Sequence, residues 1–493
     1  MFIARGSRRK TVLAIVLLTC VALLLMEVFY AEKETWSPKI INLDILSSTS
    51  RTKKVLLPAG FRFPKSLVQA HLKGTASEQW PTFQIKDSEV MDVPPSESRS
   101  FKVTESVLYA PSSNKNCRES AQKMKLATDD SERLSLNLGK IFEIFLEEAE
   151  TYHDPYNQHL LPILEEYISQ EMFKTHWYRL SGSSVWLKDY SVHFVVSRLM
   201  MSEIGSRGEP RISMLLAQVY DEEWNEVEDV RLVFPTNSID SDPNPLGFRL
   251  GTQDFSSYRF PRILPIPFDV GTGHNFWGAE DPRMLLVKSK TGHEEPVVVF
   301  NAYISLNPAE KAMHRVYARR SMFMGFPFQV QKGKSLEIPN SESTQNNWFT
   351  RTKKLKVKKQ LERLIEKNWA PFVSANVESH DHIMFVTQFT PLNIIKCDLW
   401  TDDEDCEPEG TPTKNAAGSL RGGTPLLSVG STPDEDGEFF VGFARAHFKG
   451  CGCGKKFYRP NLVVVARIGT RWVLSHVSSF IDLGMEVIPW FQP

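Results

Sequence analysis

The sequence has no surplus of charge: 58 lysines and arginines stand against 59 aspartates and glutamates, a formal net charge of −1 over 493 residues. Without a basic field there is nothing to hold a polyanion, which excludes nucleic acid as a partner. No Gly-rich phosphate loop follows a strand, so a doubly wound nucleotide fold is excluded. There is no His-Glu-x-x-His string and no serine elbow with His and Asp partners, which leaves out those two hydrolytic chemistries. No Asn-x-Ser/Thr sequon occurs anywhere in the chain.

The remainder is ordinary for a globular protein. Hydrophobic residues make up 41% and charged residues 24%, which excludes wholesale disorder and leaves surface for one or two cores. Aromatics at 11% and thirty prolines suit short strands and many turns better than a helical bundle.

One stretch departs from the average. Residues 11–30, TVLAIVLLTCVALLLMEVFY, would span about 30 Å as a helix, the thickness of a bilayer's hydrocarbon core. Arg5, Arg8, Arg9 and Lys10 precede it, so the positive-inside rule makes 1–10 a cytoplasmic tail and 11–30 a type II signal anchor, with the rest across the membrane. A cleaved signal peptide is the rival reading, although the apolar run is long for one. Residues 31–115, rich in Ser, Pro and Lys, read as a lumenal stem. Residues 116–175 read as a helical region, two helices broken near His153-Asp154-Pro155, packing on the domain that follows or pairing with a partner.

Cys20 falls in the anchor, leaving Cys117, Cys397, Cys406, Cys451 and Cys453 where disulfides persist. Cys397 and Cys406 enclose an acidic loop and suit a hairpin staple. Cys451 and Cys453 are too close to pair comfortably with each other, and no ligand set at finger spacing surrounds them.

From residue 176 to 493 the texture is short β-rich runs, such as VHFVVSRLM, PVVVFNAYIS and NLVVVARI, without the helices that βαβ crossovers need. The fold class is all-β, a propeller of several blades or a large sandwich. One insertion, the basic 351–367 segment RTKKLKVKKQLERLIEK, favours a helix, either solvated or touching acidic lipid or a phosphate-bearing substrate. Asp240-Ser241-Asp242 is a D-x-D string that reads as a turn, so no metal ligand is assigned and dependence on a divalent ion stays open.

The densest chemistry lies in FWGAEDPRMLLV. Glu280, Asp281 and Arg283, stiffened by Pro282, place two carboxylates and a guanidinium in a small volume, suited to hydroxyl recognition, proton abstraction or phosphate clamping. GSSVW at 182–186, Lys367-Asn368-Trp369, Asn301 within an apolar strand, Arg421, Arg445, His447, Tyr458 and Arg459 extend the theme. Aromatic rings stack on sugars, amides and carboxylates bind hydroxyls, and cations neutralise a diphosphate. Any one of these residues could equally be structural.

Through GAEDPR, HWYRLSGSSVWL, EKNWAPF, LRGGTP and CGCGKKFYRP, the stretch from about Cys117 onward resembles the fungal β-mannosyltransferases that add β-1,2-linked mannose to cell-wall glycans. The resemblance implies a single-pass Golgi enzyme with GDP-mannose as donor substrate and a mannan or glycan acceptor. EDPR and KNW are also similar to motifs of β-mannoside phosphorylases, which implies a five-bladed β-propeller catalytic domain with Arg283 and Lys367 on phosphate. An α-linked donor and a β-linked product imply inversion with one general base. Asp281 is that base in this reading. Glu280 binds sugar hydroxyls or exchanges roles with it, and Asn301, Trp369, Arg421 and Tyr458 position substrate. The family pattern runs on past a segment like IDLGMEVIPW, whereas this chain stops at Pro493, so either a short last blade or a truncated form is expected. A β-mannoside phosphorylase or hydrolase, or a non-catalytic glycan-binding membrane protein, are the alternatives.

Overall fold

A computed structural model describes residues 176–236, 247–266, 276–333 and 348–481 with brief gaps, together with residues 269 and 270, the helix Leu138–Tyr152 and a few short segments before it. The apolar run 11–30, the D-x-D string, Cys117, Cys451, Cys453 and the second expected helix lie outside the described residues. Among the described residues, no helix is long and apolar enough to cross a membrane.

The described chain is mostly β, divisible in sequence order into five units of chiefly antiparallel strands, of which the third and fourth are joined into one eight-stranded sheet by the parallel pair of Trp348–Val357 with Asp405–Pro408. The first contains Trp177–Leu187, Val192–Met201 and Ile212–Tyr220, extended by Phe276–Trp277 and Asp269–Val270. The second contains Val230–Thr236, Gln253–Phe260 and Gly247–Leu250. The third runs through Glu280–Lys288, Glu294–Ser305, Ala318–Lys332 and Trp348–Val357. The fourth runs through Ala370–Phe372, His382–Phe389, Leu392–Asp398 and Asp405–Pro408. In the fifth, Leu420–Gly422 and Leu427–Ser431 both pair with Gly437–Phe448, followed by Phe457–Ile468 and Arg471–Ser478.

Inner strands such as Ile212–Tyr220 are buried along their whole length, because apolar side chains on both faces meet neighbouring units. One core joins the first three units, with Phe328 amid Phe194, Phe234, Tyr258 and Phe260. Others lie between the third and fourth units and between the fourth and fifth. The first strand of the first unit lies beside that of the third, where the Met284 amide donates to Ser183 Oγ at 2.9 Å, and in the fifth unit the Leu426 amide donates to the Pro371 carbonyl in the first strand of the fourth at 3.0 Å.

The helix Leu138–Tyr152 starts at Asn137, whose side-chain oxygen accepts from the Lys140 amide at 3.1 Å, a helix N-cap. It presents Leu138, Ile141, Phe142 and Phe145 to Trp177, Leu199, Ile212 and Met214. Lys140 adds an ion pair of 3.1 Å to Asp229. Packing on the following domain is therefore what this helix does. Lys54–Leu56 and Leu108–Tyr109, within the expected stem, pair with Val230–Thr236 and Arg471–Ser478.

The 351–367 segment corrects an expectation. It is not a helix: residues up to Val357 complete the third unit as a strand, and the rest is turn and irregular backbone. Its charges are absorbed locally. Arg351 donates to Gln329, to the Trp400 carbonyl and to Asp402, and the Lys353 ammonium to the carbonyls of Asp398 and Thr401. Lysine stems pack on apolar surface while their heads reach carbonyls, so a basic run can be an inner strand. Cys397 and Cys406 face each other on adjacent strands and are disulfide-bonded.

Two predictions follow from this packing. Phe142→Ala removes a ring that is 3% exposed and should lower stability by about 3–5 kcal/mol in denaturant unfolding. Burial pushes the Glu295 carboxyl up to about 7, against the pull of Gln329 and Arg351. The folded state then holds a proton that the unfolded state releases near pH 4.5. This contribution is complete below that pH and is lost as pH rises through about 7. Glu295→Gln should accordingly gain stability relative to wild type across that window, read by urea titrations at several pH values.

Candidate functional site

The third unit opens on Glu280-Asp281-Pro282-Arg283. Glu280 pairs with Asn301, yet the next pair is Arg283 with Val299, so Asp281 and Pro282 form a β-bulge. Proline lacks the amide that a regular ladder would use, and Asp281 takes a left-handed φ of 52°, which aspartate tolerates better than most residues. The bulge separates the two carboxylates. Glu280 turns inward and is 5% exposed, gripped by Arg198 at 2.8 Å and Arg320 at 2.5 Å. Asp281 turns outward, its side chain 30% exposed, with Arg198 at 3.8 Å.

A second bulge faces the first. Between Leu180 and Ser183 the register slips, and Ser181 adopts φ 53°. Its hydroxyl donates to Asp281 Oδ1 at 3.4 Å. Oδ2 of Asp281 accepts no hydrogen bond among the described residues. Asn368, just before the fourth unit, is also left-handed at φ 62°. Three non-glycine residues in a costly conformation thus come together from three units, a concentration typical of functional sites.

Arg283 is 4% exposed and crosses to the fifth unit. Its Nε donates to the Gly423 carbonyl at 2.6 Å, and its Nη2 to the Gly422 carbonyl at 3.4 Å and to Asn368 Oδ1 at 3.5 Å. Arg445 donates to the same two acceptors, Asn368 Oδ1 at 2.7 Å and Gly422 at 3.1 Å. Burial, reinforced by the like charge of Arg445 and opposed by Asp281, brings the Arg283 guanidinium down to about 10, so it remains a cation at neutral pH. Arg421 is exposed directly across the ladder from Arg445. None of these three arginines has an ion pair among the described residues. Near Asp281 the charges balance, with Glu280 and Asp281 against Arg198 and Arg320. At Arg283 and Arg445 they do not, which suits the pair to an anion.

The expected residues divide in three. Asp281, Arg283, Asn368, Arg421 and Arg445 converge, with exposed Lys367 beside Asn368 in the chain. Tyr458 lies at the margin, 37% exposed, stacked on His447 at 4.9 Å with the Arg445 guanidinium 5.4 Å from its ring centre. Four expectations are corrected. Glu280 is consumed by two arginines and offers no oxygen to exchange roles with Asp281. Asn301 is fully buried and donates to the Glu280 carbonyl at 3.3 Å, holding the bulge. Trp369 is 2% exposed, packed beside Phe385 with its indole donating to Glu366, so its ring meets no sugar. Arg459 pairs with Ala446, one step off the His447–Tyr458 pair, so strand alternation turns it to the opposite face.

Sequence reading missed Arg198 and Arg320, which sit in runs that look like apolar strands. It also missed the glycines' purpose: a Cβ at Gly422 would lie 1.9 Å from the Asn368 carbonyl oxygen, and one at Gly423 would lie 2.3 Å from that of Phe443. The LRGGTP string exists for close backbone approach. Among the described residues no group of three His, Cys, Asp or Glu is placed to hold a metal ion.

A family model described as beta-mannosyltransferases matches residues 116–493. The chain belongs to the β-mannosyltransferase family. Beta-mannosyltransferase 1 of Candida albicans is 33% identical over 414 residues, covering 76% of this chain and 59% of its own length. Beta-mannosyltransferase 2 of the same organism is 31% identical, covering 89% of this chain and 70% of its own length. Beta-mannosyltransferase 1 of Komagataella phaffii is 31% identical, with 66% and 45% covered. This β-mannosyltransferase family member therefore spans under two thirds of the length of the first of these relatives. Among solved structures, one from the GH130 family of mannoside phosphorylases, described as containing glycoside hydrolases that target β-1,2 mannosidic linkages in Candida mannan, aligns over 60% of this chain and 69% of its own. Its identity is 9% and its TM-score 0.26, too low to bear on fold or chemistry.

Gly422→Ala tests the geometry of this family member's site. The added methyl meets backbone that cannot swing aside, so stability should fall by about 1–3 kcal/mol or more in denaturant unfolding. A variant as stable as wild type would contradict the close approach.

Proposed function

We propose that the chain is an inverting β-mannosyltransferase, moving mannose from GDP-mannose to form β-1,2-mannosides on cell-wall mannan or glycoprotein glycans. One observation carries this reading: the partly exposed Asp281 carboxylate stands near buried Arg283 and half-buried Arg445, neither of which has an ion-pair partner among the described residues. Inversion at the anomeric carbon needs a base for the acceptor hydroxyl on one side and stabilisation of the departing diphosphate on the other. Asp281 takes the acceptor proton through Oδ2. The anomeric carbon–acceptor oxygen bond forms as the bond to the donor phosphate oxygen breaks. Arg283 and Arg445 meet the negative charge that develops there, with Arg421 and Lys367 at the solvent side. Glu280 keeps Arg198 and Arg320 in place and touches neither substrate.

The architecture in this reading is a five-bladed propeller. The division of the described strands into five chiefly antiparallel units in sequence order supports that blade number. Residues 1–10, 11–30 and 31–115 are taken as cytoplasmic tail, membrane anchor and stem of a type II protein whose catalytic domain faces the Golgi lumen. The anchor's length and its basic flank support that placement.

The arginine pair would serve inorganic phosphate as well as a diphosphate, which favours a β-mannoside phosphorylase as the second reading. Incubating the full chain with a β-1,2-mannoside and phosphate, without GDP-mannose, separates the two. Release of mannose 1-phosphate would support the phosphorylase.

Asp281→Asn should lower transfer from GDP-mannose by at least about 10²-fold with an unchanged unfolding transition, in line with loss of a general base. Near-normal turnover in this variant would remove Asp281 from the mechanism.

A further inference from the structure

Of eleven large apolar side chains exposed among the described residues, five come from just two loops: Met313, Val316, Tyr317, Leu361 and Ile365. The strand register fixes where those loops stand. Asn301, opposite Glu280, pairs with Met322, and the same two strands continue to the pair Ser305 with Ala318. Four further positions raise the 306–317 connection about 13 Å beyond the level of the site carboxylates. The loop after Val357 rises at the same end, bonded to the same strand: the Arg320 amide donates to the Leu364 carbonyl at 3.0 Å, and the Glu366 amide to the Arg320 carbonyl at 2.8 Å.

These loops are braced. Asn307 and Glu310 form a reciprocal capping box at the head of the short helix Pro308–His314, with contacts of 2.9 and 3.3 Å. Arg319 bridges Glu310 at 2.9 Å to Glu362, which Lys354 also holds at 2.9 Å. The apolar crest is thus presented on a stiff wall beside the site. The wall begins at Arg320, which grips Glu280 and lies 4.4 Å from the ring centre of Tyr303, and it ends at Tyr317, 65% exposed.

We propose that this wall is an acceptor subsite, which binds sugar residues of the acceptor glycan beyond the one whose hydroxyl Asp281 activates. The proposal rests on the transferase reading of the site. A pyranose offers a C–H face for Tyr317, Ile365 and Met313 and a hydroxyl rim for the polar side chains between them, and a rigid aromatic and aliphatic surface binds it at little entropic cost. An oligosaccharide fits better than a lipid surface because the wall is continuous with the site that its end must reach.

The test is calorimetric binding of an α-linked mannobiose and an α-linked mannohexaose to the full chain in mild detergent, with no donor present. This readout does not depend on turnover, so loss of transfer activity and loss of the subsite are told apart. Wild type should bind the hexaose roughly tenfold more tightly than the biose. Tyr317→Ala combined with Ile365→Ala should erase that preference and leave the unfolding transition unchanged, since both residues are on the surface. A wild type that shows no length preference, or a preference that survives in the double variant, would overturn the subsite.

Discussion

A single buried guanidinium ties the candidate site together. Arg283 leaves the third unit, reaches the carbonyls of Gly422 and Gly423 in the fifth and shares Asn368 with Arg445. A desolvated cation held chiefly by carbonyl and amide oxygens keeps its charge without neutralising it, so those contacts fix its position and leave its field available. The backbone around it is built for this. The glycines allow approach without a Cβ, Asn368 turns left-handed to aim its amide oxygen, and the Asp281–Pro282 bulge reverses the strand's alternation so that Arg283 points inward while Asp281 points out.

The charge distribution divides the site by function. On one side two carboxylates and two arginines cancel, and only Asp281 remains partly in solvent. On the other, Arg283, Arg421 and Arg445 stand together without an ion pair among the described residues. A site that must accept a proton from a hydroxyl and stabilise a departing polyanion needs these two environments close together and distinct. Burying Glu280 between Arg198 and Arg320 spends its charge on those two arginines and removes it from chemistry.

Much of this was legible in the sequence and some was not. The all-β body follows from short β-rich runs separated by turn residues and the absence of crossover helices. EDPR stood out because it packs two carboxylates and an arginine around Pro282 in a small volume behind an aromatic and glycine-rich approach, although turns of this composition are also common on surfaces. The different fates of Glu280 and Asp281 were hidden, because they depend on a bulge that only the register with Asn301 and Val299 reveals. Trp369 looked like a sugar platform by residue type, but its burial depends on Phe385, which lies in another strand of its unit. The 351–367 run looked helical because Lys, Leu and Glu are good helix formers, and pairing with Ala318–Lys332 overrode that preference.

Single displacement with one base would apply equally to a transferase and to a phosphorylase, because the reacting atoms are the same when the phosphate carries a nucleoside and when it does not. What separates the two readings must therefore lie away from Asp281 and Arg283, where the nucleoside and the glycan would rest. The braced wall over the third unit belongs to that outer region: its ion pairs fix loops whose exposed faces contribute nothing to folding. A sheet that needed only short turns between its strands would have no reason to carry them. Their apolar crest represents a cost in solvation that the fold itself does not require, and a bound partner is what would offset it.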